Sequence, residues 1–369
     1  MSDLGQFDYV IVGAGSSGAV LANRLSADPR LTVCLIEAGP NDRSPFITVP
    51  LGVMKLSKDA RHNWLYTTAP QTALDGREVS VPRGKVLGGS SAINGMIYIR
   101  GHRADYDAWA AAGCAGWGYD DVLPYFRRSE DNRRVGIDGV HHGTGGELAV
   151  SDLRDANPVD HDFIAAAAEL QFRACPDFNV ATPEGMGIYQ VTQKDGKRHS
   201  TGRAFLTAAV KARPNLHILT GAEVLGLTLA DKRATGVTLR RGGRVETVRA
   251  RGEVILSAGA IGSPDILLRS GIGPAAAVAA LGEALHDLPG VGQNLQDHVD
   301  CMVICQSSSR TPYGISIPAL PRLALDGAKW LFGNRGMLSS NMVEAGGFVR
   351  TSPGEDRPRS EERRVGKEC

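Results

Sequence analysis

Three glycines and one acid near the amino terminus carry the first chemistry legible in this 369-residue chain. Gly13, Gly15 and Gly18 stand in the run Gly-Ala-Gly-Ser-Ser-Gly, and Glu37 follows. Gly13 permits a tight turn, Gly15 lets the backbone approach a pyrophosphate, and Gly18 lets a helix lie close on a strand. The amino end of that helix offers unpaired N–H groups and a partial positive charge to phosphates. Ser16, Ser17 and Ala38 belong to the same expected site. The Glu37 carboxylate is suited to accept from ribose hydroxyls. These residues act together only if particular elements hold them. Residues 7–12 (FDYVIV) read as a buried strand, 19–26 as a helix, and 31–36 as a second apolar strand ending at Glu37. Strand, glycine turn, helix, strand and acid form a nucleotide-binding unit. By itself it does not separate FAD from NAD, because both carry an adenosine diphosphate half.

A second cluster, RGKVLGGSSAINGMIY over residues 83–98, adds different chemistry. Gly88, Gly89, Ser90 and Ser91 give four small side chains in a row, so backbone amides there can come close to a flat ligand or its phosphates. Asn94 has donors and an acceptor fit for the polar edge of an isoalloxazine ring. Residues 251–257 read as a buried strand, and Ala258 and Gly259 continue it into another close approach beneath a cofactor. That feature favours FAD.

Residues 83–98, 259–273 (GAIGSPDILLRSGIG) and 289–298 (PGVGQNLQDH), taken in order, resemble the signatures of the glucose–methanol–choline oxidoreductases. The resemblance runs over residues 7 to 358. It implies an α/β fold: a Rossmann-type FAD-binding domain over 5–300, with segments near 42–80 and 155–195 touching an interleaved α+β substrate domain. That second domain begins at 301–358 and is incomplete. The resemblance also carries Val86, Asn94, Gly95, Met96 and Ile97 over as flavin contacts, and Val224 as a backbone contact to adenine; taken alone, Val224 reads as a strand core residue. Some relatives attach the flavin through a histidine just before the asparagine. Here that position is Ile93, so noncovalent FAD is expected. The implied reaction oxidises an alcohol, choline-like or aliphatic. Hydride passes to flavin N5, and oxygen or a quinone-type acceptor takes the electrons. The family's catalytic histidine pair lies beyond Pro358, so no catalytic residue is assigned. A flavin-binding but inert fragment and a non-redox lyase of the same fold are the alternatives.

Other features narrow the function by exclusion. A net charge of +1 argues against nucleic acid as a partner. No G-x-S-x-G elbow suggests a hydrolase. His141 and His142 adjoin on a glycine loop, where neighbouring side chains do not share a face, so they read as a surface turn and no metal site is expected. The six cysteines form no C-x-x-C pair. Cys301 and Cys305 are expected to be buried thiols, within a strand over 301–308. No leader or transmembrane run is recognised, and a cytoplasmic location is expected, with peripheral membrane contact left open. Residues 359–369 are charged and aperiodic. They are expected to be a non-native tail unable to form the strand that the family places there.

Overall fold

The computed structural model describes residues 2–298, 303–306, 309, 311–314, 317–350, 352, 354–355, 357–358 and the backbone of 360–364. The chain forms two compact units. The first comprises Met1–Ser44, Leu56–Ile93 and Thr201–Cys305; the second comprises Pro45–Lys55, Asn94–Ser200 and Gln306–Cys369.

The first unit is built on six strands: β1 (Ser2–Val12), β2 (Val33–Glu37), β3 (Leu216–Thr220), β4 (Ala222–Ala230), β5 (Arg233–Arg241) and β6 (Arg244–Leu256). Their spatial order is β3-β2-β1-β6-β5-β4. The first four in that order run parallel, and β5 and β4 extend the sheet antiparallel. Val10, Ile11, Val12, Cys34, Leu35 and Ile36 are all buried. Such unbroken apolar runs belong to parallel strands covered on both faces. Val10, Val12, Cys34 and Ile36 join Val224, Leu239 and Ile266 in one core cluster, with Ile266 supplied by helix α2 (Gly259–Arg269). Helix α1 (Ser16–Leu25) buries Gly18, Ala19 and Ala22.

Two elements start earlier than the apolar pattern indicates. β1 begins at Ser2, where Ser2 and Asp3 pair with Glu246 and Thr247. Backbone pairing there needs no apolar side chain. α1 begins at Ser16 because Gly15 takes the N-cap position.

In the second unit, helix Pro158–Glu169 starts where Asn157 accepts the Val159 N–H and proline occupies the first turn. Cys175, Phe178 and Tyr189 form a core with Ile97, Ile99 and Phe348. A three-stranded antiparallel sheet runs Ser360–Arg364, Ala345–Val349, Gly185–Ile188. The strand at Ser360–Arg364 corrects the expectation that this stretch cannot form one. An edge strand pairs through its backbone and can be charged throughout. The strand expected over 301–308 is also revised. Cys301, Met302, Ser307 and Ser308 lie outside the described residues. The intervening 303–306 have no regular structure, and Cys305 is exposed rather than buried.

Candidate functional site

The glycine loop after β1 is fixed by backbone contacts. Gly13 turns at φ +96°, and a Cβ there would lie 2.6 Å from the Ser257 carbonyl oxygen. The Ser257 hydroxyl donates to the carbonyls of Val12 and Gly13 at 3.0 and 2.8 Å. Gly18 is tighter still: its Cβ would lie 1.9 Å from the Gly13 oxygen. Gly15 differs, since its nearest neighbour would be the Gly89 Cα at 3.9 Å. Two glycines are therefore demanded by the fold itself, and at the third a Cβ would meet only an ordinary contact. Gly15 caps α1 without any side-chain hydrogen bond, and Ser16 and Ser17 are exposed. The first-turn amides of a helix have no intrahelical acceptor, so this end is ready for an anion.

Glu37 is buried at the end of β2. Its Oε2 accepts the Ala14 N–H at 3.0 Å, and its Oε1 accepts the Gly39 N–H at 2.9 Å. The carboxylate thus ties two loops together, and each oxygen keeps a lone pair for a further donor. Burial pushes Glu37 up to about 7, against the pull of the Gly39 and Ala14 amides, the Lys85 charge and the Ala38 amide. Ala38 itself is half-buried.

The second glycine cluster docks directly on the first. Gly88 donates its N–H to the Ala14 carbonyl at 2.8 Å, and a Cβ on Gly89 would lie 2.7 Å from the Gly15 Cα. Val86 is fully buried beside them in sequence. Glycines that the motif did not single out complete the arrangement. A Cβ on Gly39 would lie 1.8 Å from the Lys85 oxygen, one on Gly84 2.2 Å from Gly89, and one on Gly202 3.0 Å from the Gly88 nitrogen. Gly84 lies inside the 83–98 motif and Gly39 just after Glu37, but nothing in either position marks the close approach. Ser91 Oγ donates to the Gly88 carbonyl at 2.6 Å and accepts the Thr201 N–H at 3.0 Å. Val224 sends its side chain into the sheet core, and its carbonyl accepts from Arg269 at 3.3 Å. Ala258 is half-buried, while Gly259 is exposed with φ +81° and open space on its Cβ side.

Asn94, Gly95, Met96 and Ile97 belong to the second unit. Asn94 is exposed, but its Oδ1 is engaged by the Met96 N–H at 3.1 Å and by Arg198 at 2.9 Å. That leaves the Nδ2 donors as the chemistry it offers. Gly95 accepts from Asn341 at 2.7 Å. Met96 is buried with φ +59°, a left-handed conformation uncommon outside glycine. Its side chain lies in the interior, its N–H goes to Asn94, and its carbonyl accepts the Thr192 N–H at 2.8 Å, so Met96 fixes the course of the segment. Ile97 is half-buried against the Cys175–Tyr189 core.

The histidine pair read as a surface turn divides. His141 contacts Asp138 at the surface. His142 is fully buried between Glu130 and Asp177. Identity and spacing gave no hint of this, because both carboxylates come from distant positions. Among the described residues no group of three or more His, Cys, Asp or Glu is arranged to hold a metal ion. Among the same residues no helix is long and apolar enough to cross a membrane.

Known proteins resemble this chain over most of its length. A family model described as GMC oxidoreductase matches residues 7–300. An alcohol dehydrogenase (acceptor) from Pseudomonas putida is 49% identical over 355 residues, covering 95% of this chain and 64% of the relative. An oxygen-dependent choline dehydrogenase from Sinorhizobium fredii is 43% identical over 356 residues, covering 96% and 64%. The crystal structure of pyridoxine 4-oxidase from Mesorbium loti superposes with a TM-score of 0.78 at 32% identity, covering 96% of this chain and 64% of that one. The chain thus spans 64% of the length of each of these relatives.

Proposed function

The chain belongs to the GMC oxidoreductase family, and from that premise we propose that it binds FAD noncovalently as the cofactor-binding part of an alcohol oxidoreductase. The observation that carries this reading is the contrast among the three glycines. Gly13 and Gly18 are closed off by backbone, whereas Gly15 opens beside an uncapped helix start. This is the fit expected for a pyrophosphate held by backbone amides, with Glu37 at the adjoining strand end for the ribose. Ser16, Ser17, Ala38, Gly88, Gly89, Val224, Ala258 and Gly259 would line the adenosine diphosphate side, and Val86 would stand on the flavin side. Asn94 and the backbone of Gly95, Met96 and Ile97 would serve the flavin ring.

FAD, when bound, supplies an acceptor for the carbon-bound hydrogen of an alcohol as hydride. The protein's part is to orient the ring, through the Asn94 donors on a segment that Met96 holds in its left-handed turn, and to keep the pyrophosphate on α1. No described residue is assigned the proton-abstracting role. The two relatives, an alcohol dehydrogenase and an oxygen-dependent choline dehydrogenase, support an alcohol substrate; the reading takes it to be choline-like or aliphatic, with oxygen or a quinone-type acceptor receiving the electrons. Noncovalent attachment rests on Ile93, a buried aliphatic side chain where some relatives have a histidine. A cytoplasmic location belongs to the same reading; its support is that Cys34, Cys114, Cys175 and Cys305 are free thiols.

The test is to load the purified chain with FAD, remove free flavin by gel filtration, and precipitate the protein with acid. Flavin at close to one per chain, released wholly into the supernatant, is expected. Failure to retain flavin overturns the binding reading, and flavin held in the pellet overturns the noncovalent one. The alcohol reading is tested in a chain extended to the length of its relatives, by anaerobic bleaching of the flavin with choline and straight-chain alcohols. No bleaching with any of them would overturn it.

A further inference from the structure

Five residues of the second unit form a closed ring. The Arg100 guanidinium meets Glu130 Oε2 at 2.7 Å, and both side chains are buried. Glu130 Oε1 lies 2.9 Å from His142 Nδ1. His142 Nε2 lies 3.0 Å from Asp177 Oδ2. Asp177 Oδ1 accepts the Asn179 N–H at 2.9 Å. The Asn179 side chain closes the ring: its Oδ1 accepts the backbone N–H of Arg100 at 2.8 Å, and its Nδ2 donates to the Tyr98 carbonyl at 3.1 Å. Arg100 adds a bond to the His141 carbonyl at 2.6 Å. The ring therefore grips Tyr98 and Arg100, directly after the segment Asn94–Ile97.

The protonation state of His142 decides whether the ring holds. Its side chain has no solvent exposure, and each ring nitrogen faces a carboxylate. The Nε2 contact has ion-pair distance without hydrogen-bond alignment, so charge holds that side. The imidazolium supplies it at 3.0 Å, closer than the Arg134 guanidinium at 3.9 Å. A neutral ring would aim a lone pair at a buried carboxylate. With His142 charged, two cations (Arg100, His142) stand against two anions (Glu130, Asp177); without it, Asp177 keeps only the more distant Arg134 guanidinium at 3.9 Å. The other groups facing the ring are Asn132, whose Nδ2 donates to Glu130 Oε1 at 3.0 Å and lies 3.1 Å from His142 Nδ1; Arg134, 3.9 Å from Asp177; the Tyr98 hydroxyl, 3.4 Å from Arg100; and Asp138, which feels the His142 charge.

We infer that His142, as the imidazolium, is a positioning residue: it holds Tyr98 and Arg100 through this ring and so fixes the Asn94–Ile97 backbone for the cofactor. Burial pulls the imidazolium down, but Asp177 and Glu130 outweigh it and push His142 up to about 9. The link to the cofactor rests on the FAD reading above; the ring itself does not.

Two readouts separate these levels. The first is hydrogen exchange at the Arg100 amide in the flavin-free chain, corrected for intrinsic rates. Protection falls at least about tenfold as pH rises through about 9. In His142→Gln it is already low at pH 7, and the step disappears. Asn179→Ala touches no charge but cuts the ring at its last link. It loses Arg100 protection while His142 still titrates, as followed by NMR. Arg100 protection that is flat through this pH range, or unchanged in Asn179→Ala, overturns the ring, even if His142→Gln fails to fold. The second readout is FAD affinity, expected to weaken about ten- to a hundredfold in both variants. If the unmodified chain binds no FAD, the functional reading fails while the exchange experiment still judges the ring. If FAD binds equally well to variants that have lost Arg100 protection, the positioning role is overturned.

Discussion

A methyl group added at Gly18 and one added at Gly15 should damage this protein in different ways. At Gly18 the new Cβ would lie 1.9 Å from the Gly13 oxygen and 2.7 Å from Ser257 Oγ. The first of these is backbone and cannot swing aside. Helix α1 must lift by roughly 1 Å, at an expected cost of about 1–3 kcal/mol for overpacking. The lift also carries the first-turn amides away from the pyrophosphate position. At Gly15 the nearest atom is 3.9 Å away, and φ −71°, ψ −160° is open to alanine. Reduced freedom of the unfolded chain gains about 0.4–1 kcal/mol, and loss of a glycine N-cap costs a similar amount. The stability of the flavin-free chain should therefore stay nearly constant in Gly15→Ala. The added methyl nevertheless occupies the space in which a phosphate would meet backbone N–H groups. Losing one charge-assisted hydrogen bond costs about 1.5–3 kcal/mol, or roughly ten- to a hundredfold in affinity. Urea denaturation of the flavin-free variants gives the first quantity, and FAD titration by fluorescence quenching gives the second. The reasoning is refuted if Gly15→Ala destabilises the flavin-free chain as much as Gly18→Ala does, or if it binds FAD as tightly as the unmodified protein.

Further outcomes follow from other sites. Asn94→Asp keeps an acceptor for Met96 and Arg198 but removes the Nδ2 donors. Thermal stability should hold while FAD affinity drops about tenfold; an unchanged affinity would mean that the donors are not used. Glu344 is pushed from 4.5 up to about 8 by burial and by its neighbour Asp160. Its raised pKa stabilises the fold below about 4.5, and that stability is lost as pH rises toward about 8. Glu344→Gln should flatten this slope in urea midpoints measured across the same interval; an unaltered slope would assign it to another group. In native labelling with a thiol reagent followed by peptide mapping, Cys114 and Cys305 should react. Cys34 and Cys175 should not, because burial pushes them up to about 12 and about 11. Labelling of Cys34 without unfolding would contradict its position in the sheet.

The parts of the site legible in the sequence are those governed by local rules. The apolar runs before Gly13 and Glu37 mark strands because both faces are covered, and a tight turn after a strand needs Gly13. The parts that escaped depend on partners far away in sequence. Nothing near Gly39 indicates that its Cβ would strike Lys85, and nothing near Gly202 points to Gly88. His142 escaped for the same reason, since its burial depends on Glu130 and on Asp177 arriving from a separate segment. The opposite error arose where side-chain pattern was taken as necessary for a strand. Ser2, Asp3 and the charged 360–364 stretch are strands through backbone pairing, without an apolar pattern. At 303–306 apolar residues occur without the pairing that would make them one.

The contact between Ser257 and the Gly13 turn joins positions 244 residues apart. During synthesis at about 5–20 residues per second, that interval takes on the order of 10–50 s. For all that time the Gly13 turn lacks the backbone against which it closes, although β1, α1 and β2 have already emerged. Flavin loading should therefore come late in the life of a nascent chain, after β6 has aligned with β1.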